Sequence, residues 1–562
     1  MLSSLDNLIQ SIAFGHARRD VKRYLDAATR TSVRHELTEK LALQLGFKER
    51  EHLRSTFDQH AIDVSGRKRW TEQSLRNQIR SNYEDTIISE NAIRLLWGSF
   101  LFYADHPFSP PPCPQPQDAL VDFEQFKLAV LLTVFRCDKM LGTLDDANVY
   151  WREDGALCNR QSGFDRMFSS LVYNVSESDS EKSEQNNEGY SSALNDIMDV
   201  LIMAAPAHIH SLPTAQQLQP TAQRLVASKG GIPAVQRGHV AGRSEVHTLM
   251  DLLLRLRVYE RANKWRHGLS LHHGDFLEAN SRDLGLTEAL VNTLMGTDRI
   301  DGTMPVRQIS DAAVRLMPNL LLRFQELWGV LFHPSEDTKE KKPPAREFRF
   351  SQLGAVISLF APTIQTSSGS NQDQKEESQF ILQASAQTNF DNRDDAMKRV
   401  LEAISGNFSG HVILFTTSAE KRSSKTVIGG YFPCPEKGLP HFLFQLQPIL
   451  RVFRSRRLGI PVNKLFKSKE ERGMEYREAT PSIGYWIGDS AGALSTGIRV
   501  DPDTTATLLL GEGGYYMDMA ASRVKNDEGW KTQQVVVQDA MMEVYVVTNT
   551  DVADGAGDKQ TE

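Results

Sequence analysis

The chain has 562 residues, too many for one ordinary hydrophobic core, so about two to four domains are expected. A formal charge of −7 and a pI near 6.1 give no reason to expect nucleic-acid binding. The four cysteines (Cys113, Cys137, Cys158, Cys434) have no C-x-x-C or paired spacing, which argues against a disulfide framework and a structural zinc site and suits a reducing compartment.

The opening MLSSLDNLIQSIAFGHARRD lacks a basic start, a long apolar run and a small-residue cleavage site, so no signal peptide is expected. Leu2 stands where N-myristoylation needs glycine. The most apolar run, Phe126 to Phe135, is far short of the ~20 residues of a membrane span. The expectation is a cytoplasmic protein that meets membranes only through a partner.

Residues 1–173 read as a helical region. Arg67 to Leu96 is helical in pattern, with Ile87, Ile88, Ile93 and Leu95 as buried candidates. The proline-rich HPFSPPPCPQPQ (His106 to Gln117) excludes helix and central strand, and Phe123 to Phe135 resumes as a buried helix. Residues 174–192 (NVSESDSEKSEQNNEGYSS) carry too little apolar surface to order themselves and read as a disordered acidic insertion.

Residues 193–333 form a second helical region. Glu245 to Trp265 reads as one helix, since Leu249, Leu252, Leu253 and Leu256 fall on one face and Asp251 and Arg255 can pair on the exposed side. Asp311 to Phe332 is another, kinked or divided at Pro318. Residues 334–347 are a charged, proline-bearing linker, and residues 550–562 a disordered tail. Between them the texture changes to α+β, mostly antiparallel. His411 to Phe415, Thr426 to Tyr431, His441 to Leu446, Gln533 to Val537 and Met541 to Val547 have strand composition, with Ala396 to Ile404 as a helix and Gln365 to Ser378 as a polar insertion.

Several motifs raise chemistry. GDSAG, Gly488 to Gly492, is G-x-S-x-G, the form of a nucleophile elbow, and makes Ser490 a candidate esterase serine. No histidine follows Ser490, so the hydrolase triad order cannot be assembled, and only a rearranged triad through His411 or His441 is open. The preferred reading is a turn, with Gly488 and Gly492 supplying tight backbone and Asp489 and Ser490 bonding locally. LGEGGY, Leu510 to Tyr515, reads as another turn. His208, His210 and the His272-His273 pair lack ligand spacing, apart from Asp275, so no metal is expected. Asp298 to Ile309 has a faint EF-hand look, but aligning Gly302 to the sixth loop position puts Thr297 first, Arg299 third and Gln308 last, which loses the calcium ligands. Arg451 to Arg457, with Lys464, Lys467 and Lys469, forms a local basic patch fit for acidic protein, anionic lipid or nucleic acid, or merely a solvated face.

Taken in order, the C-terminal pieces resemble a TLDc domain over residues 348–549. The matching stretches are Val412 to Phe415, Ile428-Gly429-Gly430-Tyr431, Phe442-Leu443-Phe444, Ile487-Gly488-Asp489, Leu494 to Asp501 and Met542-Glu543-Val544-Tyr545. The family's threonine-phenylalanine-glycine-asparagine segment is replaced by Leu510 to Met517, and its final aromatic is tyrosine rather than tryptophan. A helical half before such a domain is similar to the fungal restriction of telomere capping type, whose animal relatives carry EF-hand-like helices. The resemblance implies a β-sandwich flanked by helices and a non-enzymatic module without cofactor or metal. It further implies binding to peripheral subunits of the vacuolar-type proton ATPase, with recruitment to the vacuolar membrane, effects on ATPase assembly and a link to oxidative-stress resistance. Gly429, Gly430, Phe442, Phe444, Gly488, Asp489 and Glu543 are its motif positions here.

Overall fold

The computed structural model describes residues 19–108, 119–144, 149–150, 155–172, 187–206, 209, 213–227, 240–261, 272–277, 285–297, 302–333, 352–361, 381–389, 410–417, 426–434, 438–459, 466–467, 485–488, 496–501, 505–510, 516–519 and 533–548. The acidic stretch 174–186, the linker 334–347, the polar insertion 365–378, the helix expected at 396–404 and the tail 550–562 lie outside them. The chain forms two compact units that interleave in sequence. The first comprises Met1–Ala279, Arg299–Val314 and Leu321–Lys341, and the second Asn280–Asp298, Arg315–Leu320 and Lys342–Glu562. No helix among the described residues is long and apolar enough to cross a membrane.

The first unit is mainly helical: α1 (Arg30–Ala42), α2 (Phe47–His60), α3 (Glu72–Arg80), α4 (Glu90–Ala104), α5 (Phe123–Thr133), α6 (Gly155–Ser169), α7 (Asn187–Met203), α8 (Ala215–Ala227) and α9 (Arg243–Arg255). Its short strands are β1 (Ile62–Val64), β2 (Arg67–Arg69), β3 (Thr143–Leu144), β4 (Val149–Tyr150), β5 (Val240–Gly242), β6 (Leu256–Arg261), β7 (His272–Phe276) and β8 (Thr303–Pro305). The core is aromatic. Trp70, Phe57, Phe100, Phe126, Trp328 and Phe332 are all buried, with Trp70 and Phe126 centroids 4.5 Å apart.

Four sequence expectations change here. Arg67 to Leu96 is not helical throughout: β2 closes a hairpin with β1, α3 starts only at Glu72, and the chain breaks between Arg80 and Glu90. The N-cap side chains of Thr71 and Ser89, which accept from Ser74 N and Ala92 N, set the two starts. Residues 187–192, at the end of the acidic stretch, already belong to α7. The helix expected to run to Trp265 ends at Arg255, where Leu256 turns extended (φ −61°, ψ 126°) and β6 pairs with β7. Asp251 and Arg255 do pair, at 2.8 Å, but Arg255 is buried rather than exposed. Its guanidinium also donates to the carbonyls of Ile87 and Leu277, placing positive charge at the helix C-terminus where the macrodipole favours it. Pro318 does divide its segment, into α11 (Val306–Leu316) and α12 (Leu320–Leu331).

The second unit contains α10 (Leu286–Met295), α13 (Gln352–Phe360) and two antiparallel sheets. Its strands are β9 (Ile381–Asn389), β10 (Gly410–Thr417), β11 (Val427–Phe432), β12 (Pro440–Gln447), β13 (Arg451–Leu458), β14 (Phe466–Lys467), β15 (Tyr485–Gly488), β16 (Gly497–Val500), β17 (Ala506–Leu510), β18 (Tyr516–Asp518), β19 (Gln533–Val537) and β20 (Ala540–Thr548). The larger sheet has the order β18-β13-β12-β11-β10-β20-β9, the smaller β14-β15-β16-β17-β19. Ile413, Ile428, Leu443 and Val544 of the larger sheet share one core with Ile487, Ile498, Leu508 and Val537 of the smaller.

The central strands of the larger sheet are buried on their other face too, which is why PHFLFQLQ is buried at every position and reads as a run rather than an alternation. Phe360 of α13 covers that outer face, with centroids 6.0 Å from Phe442 and 5.6 Å from Phe444. Asn319 Nδ2 donates to the Ser358 and Ala361 carbonyls and so satisfies the C-terminal end of α13. Leu450 N donates to Thr293 Oγ1 at 2.7 Å, tying α10 to the β12–β13 turn.

Candidate functional site

Apart from Gly430, the motif residues of the larger sheet fall into register across its outer face. One row runs Val452, Phe444, Gly429, Leu414, Glu543, Gln387, and the next runs Met517, Arg454, Phe442, Tyr431, Val412, Tyr545, Ala384. Gly429, Phe442, Phe444 and Glu543 are thereby brought together from three strands.

Gly429 has a steric reason to be glycine. A Cβ there would lie 2.3 Å from the Ile413 carbonyl oxygen and 2.9 Å from the Phe444 ring. Gly430 faces the inner core, where a Cβ would meet Phe432 at 2.5 Å and Leu443 at 3.2 Å. The pair lets one aromatic lie against each side of the sheet. Glu543 is half-buried and accepts from Tyr545 Oη at 2.7 Å, a polar spot at the margin of an apolar face.

Gly488 lies in the smaller sheet instead. It has φ +142°, and a Cβ would meet Gly497 Cα at 2.8 Å, so its backbone and close approach both require glycine. Asp489 and Ser490 lie outside the described residues, as do Gly511 to Tyr515 of the second glycine-rich stretch. The flanking geometry is defined nonetheless. Gly488 pairs with Gly497, so β15 and β16 are antiparallel neighbours, whereas a nucleophile elbow leads from its strand into a helix. His411 and His441 are buried on β10 and β12 of the larger sheet. Burial, with Arg457 nearby, holds the His441 imidazole down to about 4, a weak base for taking a serine proton near neutral pH.

Residues 302–308 of the faint EF-hand pattern fall in the first unit. Trp70 pairs with Val121 by two backbone bonds (2.8 and 2.9 Å), and β5 pairs with β8, each bridge standing just before the start of a helix. With Gly302 as the sixth loop position, Met304 is on the bridge and Gln308 takes the twelfth, where a calcium loop carries bidentate glutamate. The same spacing from Trp70, Val121 and Ala241 gives Ser74, Gln125 and Glu245. Ser74 Oγ and Gln125 Oε1 accept from the N-cap amides of Thr71 and Asp122, so these positions cap helices. Nearby carboxylates face cations already: Asp58 bonds Arg54 and Lys68, and Asp122 bonds Arg69 at 3.1 Å. Asp275, beside the histidine pair, is held by Arg257 through two bonds of 2.5 and 2.9 Å. Among the described residues His35, Glu39 and Glu124 could converge on a metal, but Lys127 Nζ sits between the two carboxylates at 2.8 and 3.2 Å. That hydrogen bond is the main reason the Glu39 carboxyl lies below its usual range.

Sequence reasoning missed a buried ionic cluster in the first unit. Arg166 is 1% exposed and sits 3.1 Å from Asp196 and 4.0 Å from Asp199, while it donates to the Asp138 carbonyl. Asp138 in turn accepts from Gln325 at 2.8 Å. Burial pushes the Asp196 carboxyl up to about 7 against the pull of Arg166. The partners lie some 30 residues apart, so no local motif announces them.

Comparison with protein-family models, with curated proteins and with solved structures finds no match for this chain.

Proposed function

We propose that the chain is a non-enzymatic interaction protein of TLDc type, whose C-terminal unit docks on the peripheral sector of the vacuolar-type proton ATPase and affects its assembly. One observation carries the reading. Where described, the motif stretches fall on antiparallel strands, and Gly429, Phe444 and Glu543 share one row of the larger sheet. The glycine contacts and the Phe360 cover make that row a packing device, which suits a rigid binding scaffold better than a reaction centre. Affinity would then come from a few anchors within a polar rim rather than from net charge.

The test is direct binding of the full chain to the purified peripheral sector, read by co-elution and by interferometry. Co-elution that survives Ser490→Ala, with no labelling by a fluorophosphonate probe, is the expected result. Failure to bind both the assembled and the released sector overturns the partner, and labelling at Ser490 revives the esterase.

A further inference from the structure

The basic stretch RVFRSRR is not a plain strand. On β13, Arg454 pairs with Phe442 but Leu458 pairs with Pro440, so two extra residues bulge from β13 between these pairs. Ser455 holds the bulge: it is buried, and its Oγ accepts from Arg457 N at 3.0 Å. The consequence is that Arg456 and Arg457, neighbours in sequence, are both exposed, alongside Arg454. Leu458 is 59% exposed and Met517, directly across from Arg454, is 43% exposed. Of the charged residues on β13 and β18, four are arginines and only Asp518 is acidic, and Asp518 is bonded to Arg451 at 3.2 Å.

We propose that this bulge is a docking surface for an extended acidic segment of a protein partner. Guanidinium groups bind carboxylates through paired hydrogen bonds, and Arg454 and Arg456 stand two residues apart, close to the ~6.8 Å repeat of alternate side chains on an extended chain. Leu458 and Met517 supply apolar contact for the intervening side chains. Among the described residues the neighbouring rings, Phe453 and Tyr516, pack toward the core and offer neither a stacking platform for nucleic-acid bases nor an aromatic anchor for a bilayer interface. The charge of −7 on the whole chain also opposes an anionic polymer or membrane plane more than a short segment that meets only the local patch. Such a partner is defined by its chemistry alone and need not be the proton ATPase.

The full chain should be titrated with a short labelled peptide alternating glutamate and valine, with its lysine–valine counterpart, and with vesicles of phosphatidylserine and phosphatidylcholine. Salt-sensitive binding of the glutamate peptide is expected, weakened about tenfold by R454E/R456E, which should then favour the lysine peptide. Should the reversal disturb folding, the single changes Arg454→Ala and Arg456→Ala give the same reading with a smaller loss. The proposal is overturned by no binding of the glutamate peptide, by equal binding to the native chain and the folded variant, or by vesicle binding that depends on Arg454 and Arg456 while the peptide is ignored.

Discussion

The two units solve burial in opposite ways. Among the described residues every buried Asp, Glu and Arg, including Glu49, Arg136, Asp138, Arg166, Asp199 and Arg255, lies in the helical unit. The described part of the sheet unit buries histidine, glutamine, serine and threonine but none of these charged types. Helices satisfy their own backbone and leave long side chains free to reach across the core, so charge can be buried if it is paired. A sheet buried on both faces has little room for long polar chains, and its tightest constraints are steric. The helical unit should therefore be most sensitive to removing a side chain, and the sheet unit to adding one.

The largest expected effect is on the helical side. Arg166→Ala leaves Asp138, Asp196 and Asp199 without their shared cation, and breaking a buried pair in this way costs about 3–5 kcal/mol. Hydrogen exchange read by mass spectrometry should show the loss in the helical unit. Equal loosening of β10 to β12 would defeat the two-unit distinction. On the sheet side, Gly429→Ala forces a methyl against the Ile413 carbonyl and should cost about 3 kcal/mol, read in the same way in β10 to β12. A neutral outcome would mean that the sheet opens there at little cost.

A pH series sharpens the contrast. The Asp196 carboxyl is raised from 3.8 to about 7, chiefly by burial, with the Asp199 charge adding to the rise and Arg166 opposing it. A raised folded-state value means that the folded form binds the proton more tightly. The contribution is fully present below about 4 and is lost as pH climbs through about 7. The helical unit should lose no more than about 4 kcal/mol across that window, and Asp196→Asn should flatten the slope. An unchanged slope in the variant would assign the pH dependence to another group.

What the sequence made legible follows the same division. Runs such as HVILF and HFLFQL announce buried strands by composition alone, and Pro318 announces the break between α11 and α12. The end of α9 was hidden because its apolar stripe continues through Leu256 and Val258, residues that serve equally well in the strand that follows. Residues 187–192 are too polar to signal a helix, and α10 joins the second unit across a long stretch of chain. In the candidate site, Gly429, Phe444 and Glu543 were visible as separate motif pieces, but their common row depends on strand register, which a one-residue slip would abolish. The Arg166 cluster and the β13 bulge need tertiary partners before they exist at all.

The smallest effect is the most discriminating, because it repeats the glycine-to-alanine change of the sheet in a helix. Gly98 lies inside α4, and a Cβ built there meets nothing within 4 Å. Nothing steric holds the position as glycine, and its backbone is not in the left-handed region. Alanine restricts the unfolded chain and favours the helix, so Gly98→Ala should stabilise the helical unit by about 0.5–1 kcal/mol, an upward shift of about 2 °C in its melting temperature. The same added methyl would then carry opposite signs at Gly98 and Gly429. If differential calorimetry gives Gly98→Ala a downward shift, packing room in the helical unit is as limited as in the sheet unit, and the contrast between paired charge and steric fit no longer separates the two.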